Sequence, residues 1–318
     1  MLRDDSSNTN FLTRVAWLYY KEKMTQDEIA SKLNISRSKV VRLLKKGEEE
    51  GIIHVHILSP SYNCLAIEQK LISAFELQDA MVVPTNQEEN IRQTLGKATA
   101  QYLERHLKNE DLLAVGWGRT IFEIVNFIRP NNIKNLRVVT LHGGLTTSLY
   151  LNPYDIGGKL ASIFDGQCYY IHAPHIAASE KLCRSLKSDS MIKQTLDMAK
   201  FASYSLVGIG ETSADSTLAK LGYTSLTEME KLRQQKAVGN ILGQFFNIKG
   251  EEIDCELHRR IIALSLKDLK KMKNTIGIAG RKSKIKAILG ALYGGYIKIL
   301  ITDEGTAKEV MNLESKIS

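Results

Sequence analysis

The sequence predicts an α/β protein in two parts: a small helical unit over residues 1–58 and a larger, mostly parallel α/β unit over residues 59–318. Three observations predict it. Residues 11–47 repeat apolar side chains at helical spacing, punctuated by two capping signals. Beyond residue 63, seven short β-rich runs alternate with helical patterns. Between the two parts lies "SPSYN", residues 59–63, polar and proline-bearing as a linker is.

In the first part, "FLTRVAWLYYKEK" (residues 11–23) places Leu12, Val15, Ala16, Leu18 and Tyr19 on one helical face. Thr25 then stands as an N-cap with Glu28 three residues on, a capping box. Ile29, Ala30 and Leu33 form the stripe of that second helix. Ser36 caps a third, whose apolar residues are Val40, Val41, Leu43 and Leu44. Two helices crossing closely need a small residue at the contact, here Ala30. The turn needs a residue that tolerates the left-handed region, here Asn34. Val40 closes the small core. This is the pattern of a helix-turn-helix. "GIIHVHIL" (residues 51–58) alternates as a strand and is expected to form a wing; its His54 and His56 share a face but have no evident third metal ligand.

The third helix carries Arg37, Lys39, Arg42, Lys45 and Lys46 with no acid before Glu48. With Val40 and Leu44 inward, Gln26, Ser36, Arg37, Ser38, Lys39, Arg42 and Lys45 become the candidate DNA-contacting residues. Arg37 or Lys39 at the helix start suits guanine edges; Arg42, Lys45 and Lys46 suit phosphates. A basic helix face alone is more often merely solvated, and a helix-turn-helix can also bind protein. Crossing geometry, two caps and five successive cations favour double-stranded operator DNA. Bulk charge does not decide this: the whole chain is +8, and residues 1–58 hold 10 basic against 8 acidic residues.

In the second part a helix, "LAIEQKLISAFEL", precedes the strand candidates "AMVV", "LLAV", "LRVVTL", "CYYI", "YSLVGI", "NTIGIA" and "IKILIT". Continuous apolar runs of this kind are buried on both faces, as in a parallel sheet covered by helices. Ligands bind outside the carboxyl ends of such strands. There the chain places Gly116-Trp117-Gly118-Arg119-Thr120, His142-Gly143-Gly144, Gly210-Glu211, Arg281 to Lys284 and Asp303-Glu304-Gly305. A glycine turn opening a helix lets backbone N–H groups approach an anion, Thr120 adds a hydroxyl and Lys284 an ammonium. Each glycine turn alone only says that strand-to-helix turns are tight. Their convergence predicts a small phosphorylated ligand.

The succession "LYYKEKMTQDEIASKLNISRSKVVRLLKKGEEEGI", "AVGWGRT", "VVTLHGG", "LVGIGE", "KAVGNILGQFFNIKGEEI" and "GIAGRKSKIKAILGALYGGYIKILITDEGTA" resembles the SorC/DeoR-type sugar-binding transcriptional regulators over roughly residues 11–312. "RVAWLYY" and "IHAPHIAAS" resemble the branch that represses autoinducer-2-responsive operons, which leaves the ligand open. The resemblance implies a large domain with the fold of glucosamine-6-phosphate deaminase and ribose-5-phosphate isomerase, reused as a sensor. It implies a phosphorylated sugar or polyol as effector and a homo-oligomer, commonly a tetramer. By position it assigns Gly116, Gly118, Arg119 and Thr120 to the phosphate loop, Lys284 to the phosphate site, and His142, Gly143, Gly144 and Asn240 to the effector site. His142 stands where one relative has an imine-forming lysine, so binding here is expected to be non-covalent. Asn240 stands where close relatives carry Asp, and an amide donates as well as accepts.

The rival reading is a sugar-phosphate isomerase or deaminase with an appended DNA-binding domain. Only His142 and Glu211 could serve as its acid and base. "HAPH", with His172 and His175, contains Pro174 and reads as a loop. No nucleophile motif or metal cluster stands out, and no cofactor is expected. A DNA-binding scaffold that senses nothing leaves the strand-end glycines and cations without a purpose. Cys64, Cys168, Cys183 and Cys255 lack C-x-x-C spacing and are expected to be inert thiols. A polar N-terminus and the lack of any run of roughly 18 apolar residues predict a cytoplasmic protein with no membrane partner.

Overall fold

The computed structural model describes residues 5–53, 62–85, 90–130, 133–146, 152–214 and 216–317. The chain divides into two compact units, residues 1–59 and 60–318.

The first unit contains α1 (Asp5–Tyr20), α2 (Gln26–Leu33) and α3 (Arg37–Glu49). Thr25 accepts from the Glu28 N–H while the Glu28 carboxylate accepts from the Thr25 N–H, closing the capping box. Asn34 ends α2 in the left-handed region (φ 51°, ψ 48°), its N–H turned back to the carbonyls of Ala30 and Ser31. Ser36 then caps α3 through the Lys39 N–H. Leu12, Val15, Leu18, Ile29, Ala30, Val40, Leu43, Leu44 and Ile53 form the core. Val41 does not join this stripe. It is 44% exposed, because one 100° step from Val40 turns it away from the face that holds Val40, Leu43, Leu44 and Gly47. The first helix also stops three residues earlier than its pattern suggested, with Lys23 at φ 57°. Residues 54–58 of the expected wing, and residues 59–61 of the linker, lie outside the described residues.

In the second unit, α4 (Tyr62–Phe75) precedes strands β1 (Asp79–Val83), β2 (Leu112–Val115), β3 (Arg137–Thr140), β4 (Gln167–Tyr169), β5 (Tyr204–Gly208), β6 (Gly210–Glu211), β7 (Ala237–Ile241), β8 (Gln244–Asn247), β9 (Thr275–Ile278) and β10 (Ile299–Asp303). The intervening helices are α5 (Ile91–His106), α6 (Arg119–Phe127), α7 (Pro153–Ile163), α8 (Glu180–Ser188), α9 (Ser190–Ala199), α10 (Thr217–Lys220), α11 (Leu226–Gln234), α12 (Leu266–Lys271) and α13 (Ile285–Tyr293), and α14 (Glu304–Glu314) follows β10. The seven strands expected from the sequence make one sheet in the order β1-β10-β9-β5-β2-β3-β4. All its pairings are parallel.

Alternation along the strands feeds two cores. Leu113 and Val115 of β2 pack with Leu95, Ile121, Ile124 and Leu160 from α5, α6 and α7. Leu112 and Ala114 face the other way, into the core that holds Leu71, Leu269, Ile288 and Val310 from α4, α12, α13 and α14. Both faces are therefore covered, as the apolar runs required.

A second sheet, β6-β7-β8, was not expected. Its strands are antiparallel, with Gly210 opposite Asn240 and Ile241 opposite Gln244. The β7–β8 turn holds Leu242 at φ 52° and Gly243 at φ 80°. Two positive φ values are what a two-residue hairpin needs, but the usual marker is Asn-Gly, and a leucine conceals it.

Helices α5 and α6 meet at Gly96. A Cβ there would overlap the Cβ of Glu123 and lie 2.9 Å from its carbonyl carbon. Gly96→Ala gains about 1 kcal/mol of helix propensity and loses about 1–3 kcal/mol to overpacking. The contact is to backbone, which cannot step aside, so the loss dominates. We expect the melting temperature to fall by about 2–6 °C in a thermal scan.

Candidate functional site

The strand order reverses beside β2. Strands β3 and β4 follow β2 on one side, whereas β5 returns to its other side. The loops leaving β2 and β5 therefore diverge, and a cleft opens at the carboxyl edge between them. It is lined by Trp117 to Ile121 after β2, Gly208 to Glu211 at the end of β5, and Ile278, Gly280, Arg281, Ser283 and Lys284 after β9. The first turns of α5 supply Ile91, Arg92 and Leu95; β7 supplies Asn240, and the α10 segment supplies Ser216, Thr217, Leu218 and Lys220.

Gly118 is the N-cap of α6 at φ 133°, ψ 154°, a conformation that L side chains rarely adopt. Being glycine it offers no side chain to cap, so the first N–H groups of α6 face the cleft mouth with no side-chain acceptor from it. The α13 terminus, capped by Lys284, likewise receives no side-chain hydrogen bond. Two helix starts thus bring partial positive charge to one place.

Full charges add to it. Burial lowers Lys284 to about 8, and the Arg92 and Arg281 cations push the same way while Glu211 opposes them. Arg92 is also lowered, first by burial and then by Arg281 and Arg119. Cations that disfavour one another at close range form a site that stabilises an anion.

The structure brings Gly118, Arg119, Thr120, Asn240 and Lys284 to this cleft and does not bring the remaining effector candidates. Gly116 sits one step inside: its N–H donates to the Leu206 carbonyl at 2.8 Å, and a Cβ would press on that oxygen and on Leu242. Gly143 packs against the backbone of Ala173 and Pro174, and Gly144 against the Tyr154 ring. These three glycines answer to close packing. His142 is fully buried beyond Trp117. Its Nδ1 donates to the Gly143 carbonyl at 2.7 Å, leaving Nε2 a bare acceptor. The His175 ring lies 4.6 Å away, centroid to centroid, with neither nitrogen paired.

Arg92, Arg281 and Lys220 were missed. Arg281 stood in a quoted strand-end turn, but nothing in "NIRQTLG" signals that the first turn of α5 reaches the same cleft.

On the first unit, Arg37, Ser38, Lys39, Arg42 and Lys45 are exposed on α3, Lys46 is half-buried, and Gln26 is half-buried at the start of α2. Ser36 is engaged as the cap and with the Ser38 hydroxyl at 3.0 Å. Arg37 lies 3.6 Å from Asp27, Lys45 3.7 Å from Glu49 and Lys46 3.4 Å from Glu50. Exposed pairs of this kind are worth little and exchange readily for phosphate.

Comparison with known proteins places the chain. Residues 59–312 match the family model for the sugar-binding domain, Sugar-bind. The chain belongs to this family. Its relatives include the transcriptional regulator LsrR of Escherichia coli O157:H7, 36% identical with 94% of each chain covered. The deoxyribonucleoside regulator of Bacillus subtilis (strain 168) is 31% identical over 97% of this chain and 99% of its own. The full-length sorbitol operon regulator SorC of Klebsiella pneumoniae superposes with a TM-score of 0.74 at 26% identity, covering 95% of this chain and 98% of its own. The chain is a member of a family of transcriptional regulators with sugar-binding domains.

Two measurements follow from the titrating groups. Lys284 loses its charge above about 8, so inorganic phosphate should bind more weakly at pH 9 than at pH 7. Calorimetric affinity that stays flat over that range contradicts the assignment. Burial holds His142 and His258 near 4, and lowers His175 as well. Unfolded, each imidazole protonates below about 6.5. The unfolded state therefore binds more protons, and stability falls as pH drops from about 6.5 towards 4. Urea titrations at pH 7 and pH 5 should differ by on the order of 1–2 kcal/mol for each of His142 and His258, with His175 acting in the same direction.

Proposed function

We propose that this protein is a transcriptional regulator that binds operator DNA through α3 and is controlled by reversible binding of a phosphorylated sugar or polyol in the cleft at the carboxyl edge of the sheet. The observation that carries it is the meeting of Lys284, Arg281, Arg92, Arg119 and Thr120 around the open N-terminus of α6. A phosphate monoester, with a charge near −2 and three acceptor oxygens, matches that set.

α2 and α3 act as a winged helix-turn-helix. Arg37 and Lys39 enter the major groove and read base edges, while Arg42 and Lys45 contact phosphates. The second unit follows the glucosamine-6-phosphate deaminase and ribose-5-phosphate isomerase architecture. It joins copies of the chain into a homo-oligomer, a tetramer, whose symmetry matches a palindromic operator. Effector binding shifts the population towards subunit arrangements whose recognition helices no longer fit the half-site spacing, so the protein acts as a cytoplasmic repressor of a carbohydrate-utilisation operon. The cleft binds and does not turn over its ligand. Among the described residues Glu211 is the one carboxylate lining it, and His142, the other candidate for acid–base work, lies beyond Trp117.

Fluorescence anisotropy on the upstream DNA tests the reading. Arg37→Ala should weaken operator binding by about 1–3 kcal/mol and spare non-specific binding. Lys45→Ala should weaken both alike and flatten the salt dependence. Equal losses from the two variants remove Arg37 from the reading role. Lys284→Ala should keep operator affinity and lose the response to phosphorylated sugars; an unchanged response moves the phosphate site elsewhere.

A further inference from the structure

Lys284 differs from the lysines on either side of it. Lys282 and Lys286 are exposed, whereas Lys284 is half-buried and lines the cleft that also receives the start of α6. Burial lowers its ammonium to about 8, and Arg92 and Arg281 push the same way while Glu211 opposes them. At pH 7 roughly one chain in ten then carries the free amine, against about one in 2,500 for an unperturbed lysine. The phosphate site uses the ammonium. The amine form is a nucleophile with a chemistry of its own.

What the amine faces decides what it can attack. The α6 start, with Gly118 at φ 133° and no side-chain cap, seats a phosphate together with Arg119 and Thr120. Lys284 comes to the same phosphate from the connection between β9 and α13. In a sugar phosphate the carbon next to the phosphate is a poor electrophile. In an acyl phosphate it is a carbonyl carbon, one bond from the bridging oxygen, and phosphate is its leaving group. A side chain long enough to touch the phosphate as a cation therefore reaches that carbon as an amine, and binding supplies the proximity. Arg119, Thr120 and the α6 N–H groups then stabilise the charge that gathers on the departing phosphate.

We propose that Lys284 is an acylation site: an acyl phosphate seats its phosphate at the Gly118–Thr120 turn and transfers its acyl group to Lys284 Nζ. The bond from Nζ to the carbonyl carbon forms, and the bond from that carbon to the bridging oxygen breaks. Inorganic phosphate leaves with the electron pair and takes the proton that the amine gives up. The product is a neutral amide, so the cleft loses one cation and binds phosphate less tightly. Each chain reacts once, and the mark desensitises it to a phosphorylated effector. A bound dianion raises the Lys284 pKa again, so the advantage over an exposed lysine falls below the full ratio of free-amine fractions. This inference rests on the phosphate site described above and gives that site a second role.

Peptide mass spectrometry of the full chain after timed exposure to acetyl phosphate tests it, with Lys282 and Lys286 as internal references. Acetic anhydride serves as the donor without phosphate, and calorimetry follows the binding of inorganic phosphate. Lys284 should acetylate about tenfold or more faster than its two neighbours with acetyl phosphate. The rate should saturate with donor, and inorganic phosphate should suppress it. The preference should shrink with acetic anhydride, which has nothing to seat at the α6 start. Chains acetylated at Lys284 should bind inorganic phosphate about tenfold more weakly. Acetylation of Lys284 at its neighbours' rate, in a chain that binds phosphate, overturns the acylation site and leaves the phosphate site standing. So does a preference that bound phosphate fails to suppress. An unmodified chain that does not bind inorganic phosphate overturns the phosphate site itself, and this inference with it.

Discussion

A parallel sheet cannot be closed by hairpins. Each strand must return through a crossover that covers one face, and where successive crossovers change sides a crevice is left at the carboxyl edge. In this chain the change occurs between β2 and β5. The rest of the large unit depends on it. Gly116 lets β2 lie against the Leu206 carbonyl, Gly118 turns the chain into α6, and the loops from β5 and β9 close the remaining walls. The cleft is a consequence of topology before any functional residue is placed in it.

Its electrostatics work against folding and in favour of binding. Arg92, Arg281 and Lys284 disfavour one another, and Arg281 adds backbone strain and an unpaired buried donor. A folded protein keeps such a cluster at a cost in stability, and an anionic ligand returns that cost as affinity. A ligand that binds such a cluster favours whichever conformation presents all the cations together, because only that state gains the full binding energy.

The seven strands of the parallel sheet were legible because burial on both faces makes each a continuous apolar run. The α2–α3 turn was legible because its caps are local: Thr25 with Glu28, Asn34 in the left-handed region and Ser36 with Lys39 all lie within a few residues of one another. Long-range placement was not. Arg92 enters the cleft from the first turn of α5, which its sequence neighbours do not reveal. His142, Gly143 and Gly144 stand after a strand as expected, but Gly143 packs against Ala173 and Pro174, Gly144 against the Tyr154 ring and His142 beside Trp117 and His175, and none of the three lines the cleft. The β7–β8 hairpin was hidden by Leu242, a residue that seldom occupies a positive φ. For Arg92 and the His142–Gly144 turn the deciding contact lies far away in sequence, whereas the hairpin is local and was concealed only by residue type.

The central claim is that a phosphate group on a sugar is what this chain senses. The most direct measurement is operator affinity of the full chain, by anisotropy, across matched pairs of sugars and polyols with and without phosphate. The account predicts that one phosphorylated compound changes operator affinity and that its parent sugar does not. A parent sugar that acts equally well, or salt-sensitive DNA binding that no compound alters, would contradict it.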